Sequence, residues 1–194
     1  GNWQADHIQK LTDSDATKAN IHGAINWMKT NAKSGDTCLF FFSGHGACSD
    51  DVLPFDEYDD RDEYICPYDS TDWFEDSIRD DELDAWMTPI EAKKIVILDT
   101  CFAGGAYKGT DISTKTKPNV PHAKLAKDFA KDLAKDLNKA GYVVLAACND
   151  WQCAWESDIL ENGVFTYYVV EGLGGPANAD ADNDISTEEI YEYA

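Results

Sequence analysis

The chain of 194 residues predicts an α/β domain, a mostly parallel sheet flanked by helices. Short apolar runs, "HIQKL", "TCLFFF", "KIVILD" and "YVVLAA", have the length and the β-branched or aromatic content of buried strands. Between them lie patterns of helical length, "ATKANIHGAINWMKTNAK", "DELDAWMTPIEA", "HAKLAKDFAKDLAKDLNKA" and "VFTYYVVEGL". Such alternation lays successive strands side by side and in parallel, with the helices on the faces of the sheet. At 43% hydrophobic content the chain can bury one real core and is short for two.

Taken in order, "HIQKL" is the first strand, and "TCLFFF" runs into "SGHGACSDD", which carries His45 between Gly44 and Gly46. "KIVILD" runs into "DTCFAGG" and delivers Cys101. The stretch "YKGTDISTKTKPNV" that follows, Tyr107 to Val120, is rich in Gly, Ser, Thr, Asn and Pro and reads as mobile surface chain. Next comes a helix with Lys124, Lys127, Lys131 and Lys135 at three and four spacing and Asp128, Asp132 and Asp136 interleaved, a solvated face. "YVVLAA" and "VFTYYVVEGL" complete the expected α/β domain over residues 1–176, and an acidic loop with the start of a last helix fills residues 177–194.

Composition excludes several classes. A formal charge of −21 opposes a nucleic-acid partner, which needs clustered cations to displace counterions, and favours basic ligands and metal cations. No stretch approaches the roughly 18 consecutive apolar residues of a membrane span. The opening "GNWQADHIQK" lacks the basic-then-apolar order of a signal peptide, so the chain is expected to be mature or cut from something longer. The six cysteines form no paired CxxC set for zinc, and Cys38, inside an apolar run, reads as a small core residue.

In parallel α/β sheets functional groups gather at the carboxyl ends of strands. Two strands here end in reactive residues, so adjacent placement would set the His45 imidazole beside the Cys101 thiol. That is a Cys-His dyad: a thiolate nucleophile, a histidine that takes and returns the proton, and backbone N–H groups for the tetrahedral oxyanion. The glycines around His45 and the "AGG" after Cys101 are backbone able to turn N–H groups inward.

The ordered segments "LTDSDATKANI", "FFFSGHG", "DEYDDRDEYICPYDS", "IRDDEL", "ILDTCFAGG", "AACNDWQCAWE" and "GVFTYYVVEGLGG" resemble the caspase-like cysteine peptidases, above all the metacaspases and their prokaryotic relatives. Cys101 follows His45 by about 56 residues, comparable to the spacing of about 50 in caspases. The resemblance implies the caspase-hemoglobinase fold and endopeptidase activity, with His45 as general base and acid, Cys101 as nucleophile, and the N–H groups of Gly46 and Cys101 as oxyanion donors. It further implies that Ser43 and Asp99 line the primary specificity pocket. A buried carboxylate there wants a paired cation, so protein or peptide substrates are expected to present Arg or Lys. The mobile stretch 107–120 corresponds to the connection that processing often separates, and self-cleavage is expected after Lys108 or Lys115; Lys117 precedes a proline, a poor scissile bond.

Two departures accompany the resemblance. Metacaspases begin with a strand and helix carrying an Asn-Asp-Ala motif ahead of the segment matching "HIQKL"; that first strand is absent here, so the sheet is expected to have an open edge to be filled by an N-terminal segment or a second chain. Phe41, Phe42 and Phe102 stand where metacaspases have His or Tyr.

Calcium is the expected cofactor. "NADADNDISTEE" has the register of an EF-hand loop, with Asn178, Asp180, Asp182, Asp184, Ser186 and Glu189 at positions 1, 3, 5, 7, 9 and 12, and with Asn183 at the sharp turn. A capped final helix after an acidic connection would give the same sequence. The resemblance implies a second site among Asp59, Asp60, Asp62, Asp80 and Asp81, chiefly Asp60, Asp80 and Asp81. The competing class is a non-catalytic calcium-binding or adaptor module on the same fold, and a clostripain- or gingipain-type peptidase is the alternative enzyme.

Overall fold

The computed structural model describes residues 3–50, 61–72, 74–103, 142–147, 156–157, 160, 162–182 and 184–194. Its centre is a five-stranded sheet in the order β3-β2-β1-β4-β5, formed by β1 (Thr37–Asp50), β2 (Arg61–Cys66), β3 (Ile78–Arg79), β4 (Lys93–Ala103) and β5 (Tyr142–Ala146). β1, β4 and β5 run parallel, while β2 pairs antiparallel with β1 and β3 antiparallel with β2. The expected parallel sheet is thus its middle and one flank; the antiparallel extension, drawn from the acidic "RDEYIC", has no apolar run to announce it. A second, two-stranded sheet pairs β6 (Glu156–Ser157) with β7 (Asn162–Gly163).

Four α-helices flank the sheet among the described residues: α1 (Lys18–Asn31), α2 (Asp80–Met87), α3 (Val164–Leu173) and α4 (Thr187–Tyr193). The Thr17 side chain caps α1 by accepting from the Asn20 N–H at 3.2 Å. α1 buries Ile21 and Ile25 and α2 buries Leu83 and Met87, each pair four residues apart and so on one helix face. They meet Cys38, Val96, Leu98, Ile65 and Val144 from the sheet. The opposite face packs Ile97 and Leu145 against Val169 of α3 and Ile190 of α4. Successive residues of β4 therefore enter different cores, which is why "KIVILD" reads as a continuous apolar run and not an alternating one.

"HIQKL" is not a strand. Ile8 has extended dihedrals, yet residues 8–12 join neither sheet and Ile8 is exposed; Leu11 alone reaches the core. An apolar run becomes a strand only with a ladder partner, and here it finds none among the described residues. The lysine-rich helical pattern and the stretch 107–120 lie outside the described residues.

Candidate active site

β1 does not end at Phe42. It runs through "SGHG" to Asp50 because β2 takes over as partner, from His45 opposite Cys66 to Asp50 opposite Arg61. On its other edge β1 is in register with β4 as far as Ala47 opposite Ala103. His45 and Cys101 therefore lie within paired strands and not just past strand ends. The parallel register sets Ser43 opposite Asp99 and His45 opposite Cys101. Two residues apart along each strand, these four positions belong to one side of the sheet. Ser43 and His45 are exposed, as a site open to substrate requires.

Gly46 is buried, opposite Ile65 on β2 and Phe102 on β4, so its N–H lies in the plane of the sheet. Asp99 is 4% exposed. Its Oδ2 accepts the Thr166 backbone N–H at 3.2 Å and also the Thr166 hydroxyl. Thr166 stands in the first turn of α3, whose N-cap is Gly163 and has no capping side chain of its own; Asp99 supplies the missing acceptor from the neighbouring strand. Sequence reasoning missed Thr166 and Gly163. The only local signal is a glycine three residues before a threonine at the start of a helical pattern, and 67 residues separate Thr166 from Asp99.

The two acidic sets differ in surroundings. Asp80 is buried at the start of α2, and Arg79 reaches both Asp62, at 3.5 Å, and Asp81, at 3.0 Å. Arg79 thus stands as a cation between two of the acids expected to meet calcium; Asp59 and Asp60 lie outside the described residues. In the loop from Asn178 to Glu189, the Asp182 and Asp184 N–H groups donate to the carboxylates of Asp180 and Asp182. Glu189, the closing ligand of the expected calcium loop, instead accepts from the backbone: Ala179 and Asp180 at Oε1, Ser186 at Oε2. Ser186 and Glu189 form a capping box on α4. Those backbone donors, with Ser186 first, hold the Glu189 carboxyl below its usual range. Among the described residues, which leave out Asp59, Asp60 and Asn183, no three acid, His or Cys side chains come together as a metal cage; in this conformation Glu189 is held by backbone donors and Asp62 and Asp81 by Arg79. Lys108 and Lys115 lie outside the described residues.

Against known proteins, the family described as "Metacaspase, peptidase C14 domain" matches residues 3–109. Metacaspase-3 of Arabidopsis thaliana is 35% identical over 108 residues, covering 51% of this chain and 29% of that protein. Metacaspase-1 of Candida albicans is 34% identical over 136 residues, covering 61% and 30%. The chain spans under a third of the length of these relatives. A crystal structure of a protein from Geobacter sulfurreducens superposes with a TM-score of 0.56 at 21% identity, over 86% of this chain and 65% of that one, a likeness of fold. No helix among the described residues is long and apolar enough to cross a membrane. With the family's domain matched from residue 3 to residue 109, a span that contains both His45 and Cys101, the chain belongs to the metacaspases, peptidase family C14.

Proposed function

We propose that this chain carries the catalytic centre of a cysteine endopeptidase that cleaves after Arg or Lys and responds to calcium. The observation that supports it most is the register of His45 opposite Cys101 on adjacent parallel strands. In this reading His45 takes the Cys101 proton, and the thiolate attacks the substrate carbonyl carbon. Collapse of the tetrahedral oxyanion expels the amine, which receives the proton from His45. Water, deprotonated by the same imidazole, then releases the acid from the thioester. Gly46 and Cys101 N–H groups hold the oxyanion. For Gly46 this requires its peptide to turn out of the sheet plane when substrate arrives, a movement that glycine at 44 and 46 makes easy. The buried Asp99, opposite Ser43, offers the anion that an Arg or Lys side chain would meet.

The edge of β1 from Thr37 to Gly44 that faces away from β4 has no strand partner among the described residues, since β2 begins to pair only at His45. That supports completion of the sheet by a further segment or a second chain. Calcium binding would have to exchange the backbone donors of Glu189, or Arg79 between Asp62 and Asp81, for the ion; we assign it regulation and no catalytic step. The alternative, a non-catalytic module, is favoured by one observation, the His45 and Gly46 backbone laid into ladders on both sides.

One experiment separates the two. With Arg or Lys reporter peptides, wild type is expected to cleave, faster in millimolar calcium, and to generate new N-termini after Lys108 or Lys115. Cys101→Ala and His45→Ala are expected to do neither while keeping the wild-type far-UV spectrum. Full activity in either variant, or identical self-cleavage in Cys101→Ala, would sink the enzyme reading.

A further inference from the structure

We infer that Thr166, with Gly163, is a positioning residue for substrate selection: it fixes the Asp99 carboxylate so that Oδ2 is committed to helix α3 and Oδ1 is left for the substrate cation. This rests on the basic specificity proposed above.

Three features of the contact carry it. Both Thr166 donors, the backbone N–H and the hydroxyl, reach the same oxygen, Oδ2. A carboxylate has about four lone-pair positions shared over two oxygens, and among the described residues no donor reaches Oδ1. Gly163 leaves the carboxylate its place: a Cβ there would lie 2.9 Å from Asp99 Cγ, so any larger residue would push the group aside. A lone acid on β4 could take several rotamers; clamped by a helix terminus on one oxygen, it presents the other in one direction. Threonine suits the task, because its β-branched χ1 is stiff and holds the hydroxyl where it is needed. The device also ties pocket geometry to the seating of α3 against β4, through Ile97 and Val169.

The test compares two electrophiles at Cys101: an arginyl chloromethyl ketone, which needs the pocket, and iodoacetamide, which does not. Inactivation constants are measured for wild type, Thr166→Val, Thr166→Ala, Thr166→Ser and Asp99→Asn, with labelled peptides identified by mass spectrometry. The ratio of arginyl to iodoacetamide reactivity should fall about tenfold in the Val and Ala variants, the size expected for losing one hydrogen bond to a charged group. The fall should appear in the binding constant KI more than in the maximal inactivation rate, and Thr166→Ser, which keeps the donor, should restore it. If Asp99→Asn lowers the ratio while Thr166→Val and Thr166→Ala leave it alone, or if Thr166→Ser is as poor as they are, the hydroxyl does not position Asp99; the inference falls and the basic specificity stands. If Asp99→Asn itself leaves the ratio unchanged, the specificity reading falls and takes the inference with it. Should the valine variant not fold, the alanine and serine variants supply the same comparison.

Discussion

His45 follows the apolar run Leu39–Phe42 by three residues on the same strand and yet is exposed. The described thiols are in the opposite situation. Burial is the main cause that pushes both Cys38 and Cys66 up, with the Asp36 charge adding at Cys38 and a hydrogen bond from Ser77 opposing at Cys66. Burial likewise raises Tyr64, and pushes Tyr142 up to about 12. In all four the fold keeps the neutral form. Below the unfolded thiol value of about 8.5 these groups are protonated in both states and their contribution to stability is fully present. As pH rises further the unfolded chain ionises first, so that contribution is lost progressively until the folded values are passed. Melting temperature should therefore be level from about pH 7 to about pH 8 and fall steadily towards pH 10; circular dichroism melts check this, and a rise over the upper range would contradict it. The sequence marked Cys38 as a core residue from its apolar neighbours. It could not mark Thr166, whose role exists only because the fold brings α3 to β4.

At the scale of elements, three of the four apolar runs became β1, β4 and β5, since each finds a ladder partner and sends side chains into a core; β4 and β5 feed both cores and β1 feeds one. "HIQKL" failed because periodicity reports burial and not the presence of a ladder partner. α2 was expected to extend through "TPIEA" and stops at Met87, where Pro89 follows within two residues and cannot continue the helical hydrogen bonding. β2 went unseen because it is acidic; its Asp62 is 1% exposed and is tolerated with Arg79 beside it. The edge of β1 is the element with the clearest liability. From Thr37 to Gly44 it carries no charge and no proline, and Leu39 and Phe41 are 37% and 46% exposed. Natural edge strands are normally blunted by charge, proline or bulges. Phe41→Lys should reduce concentration-dependent association of this chain in light scattering, at a stability cost under about 1 kcal/mol. Unchanged association would mean that this edge does not pair between molecules.

At the scale of the molecule, a sheet with a core on each face holds the site where two parallel strands bring His45 and Cys101 level. Under the proposed basic specificity, the large negative charge would draw cationic peptides toward the Asp99 carboxylate. The acidic loop at the C-terminal end shows why its sequence pattern underdetermines its use: a calcium loop and a capped helix ask for Ser186 and Glu189 at the same spacing, and here they form the cap. The central claim, that Cys101 is the nucleophile made reactive by His45, is tested most directly by locating a single adduct. After a short exposure to the arginyl chloromethyl ketone at neutral pH, peptide mapping should find the label on Cys101 and not on Cys38 or Cys66, whose burial keeps them protonated, and His45→Ala should lose it. Label distributed over Cys38 and Cys66, or equal labelling of Cys101 in His45→Ala, would contradict the account.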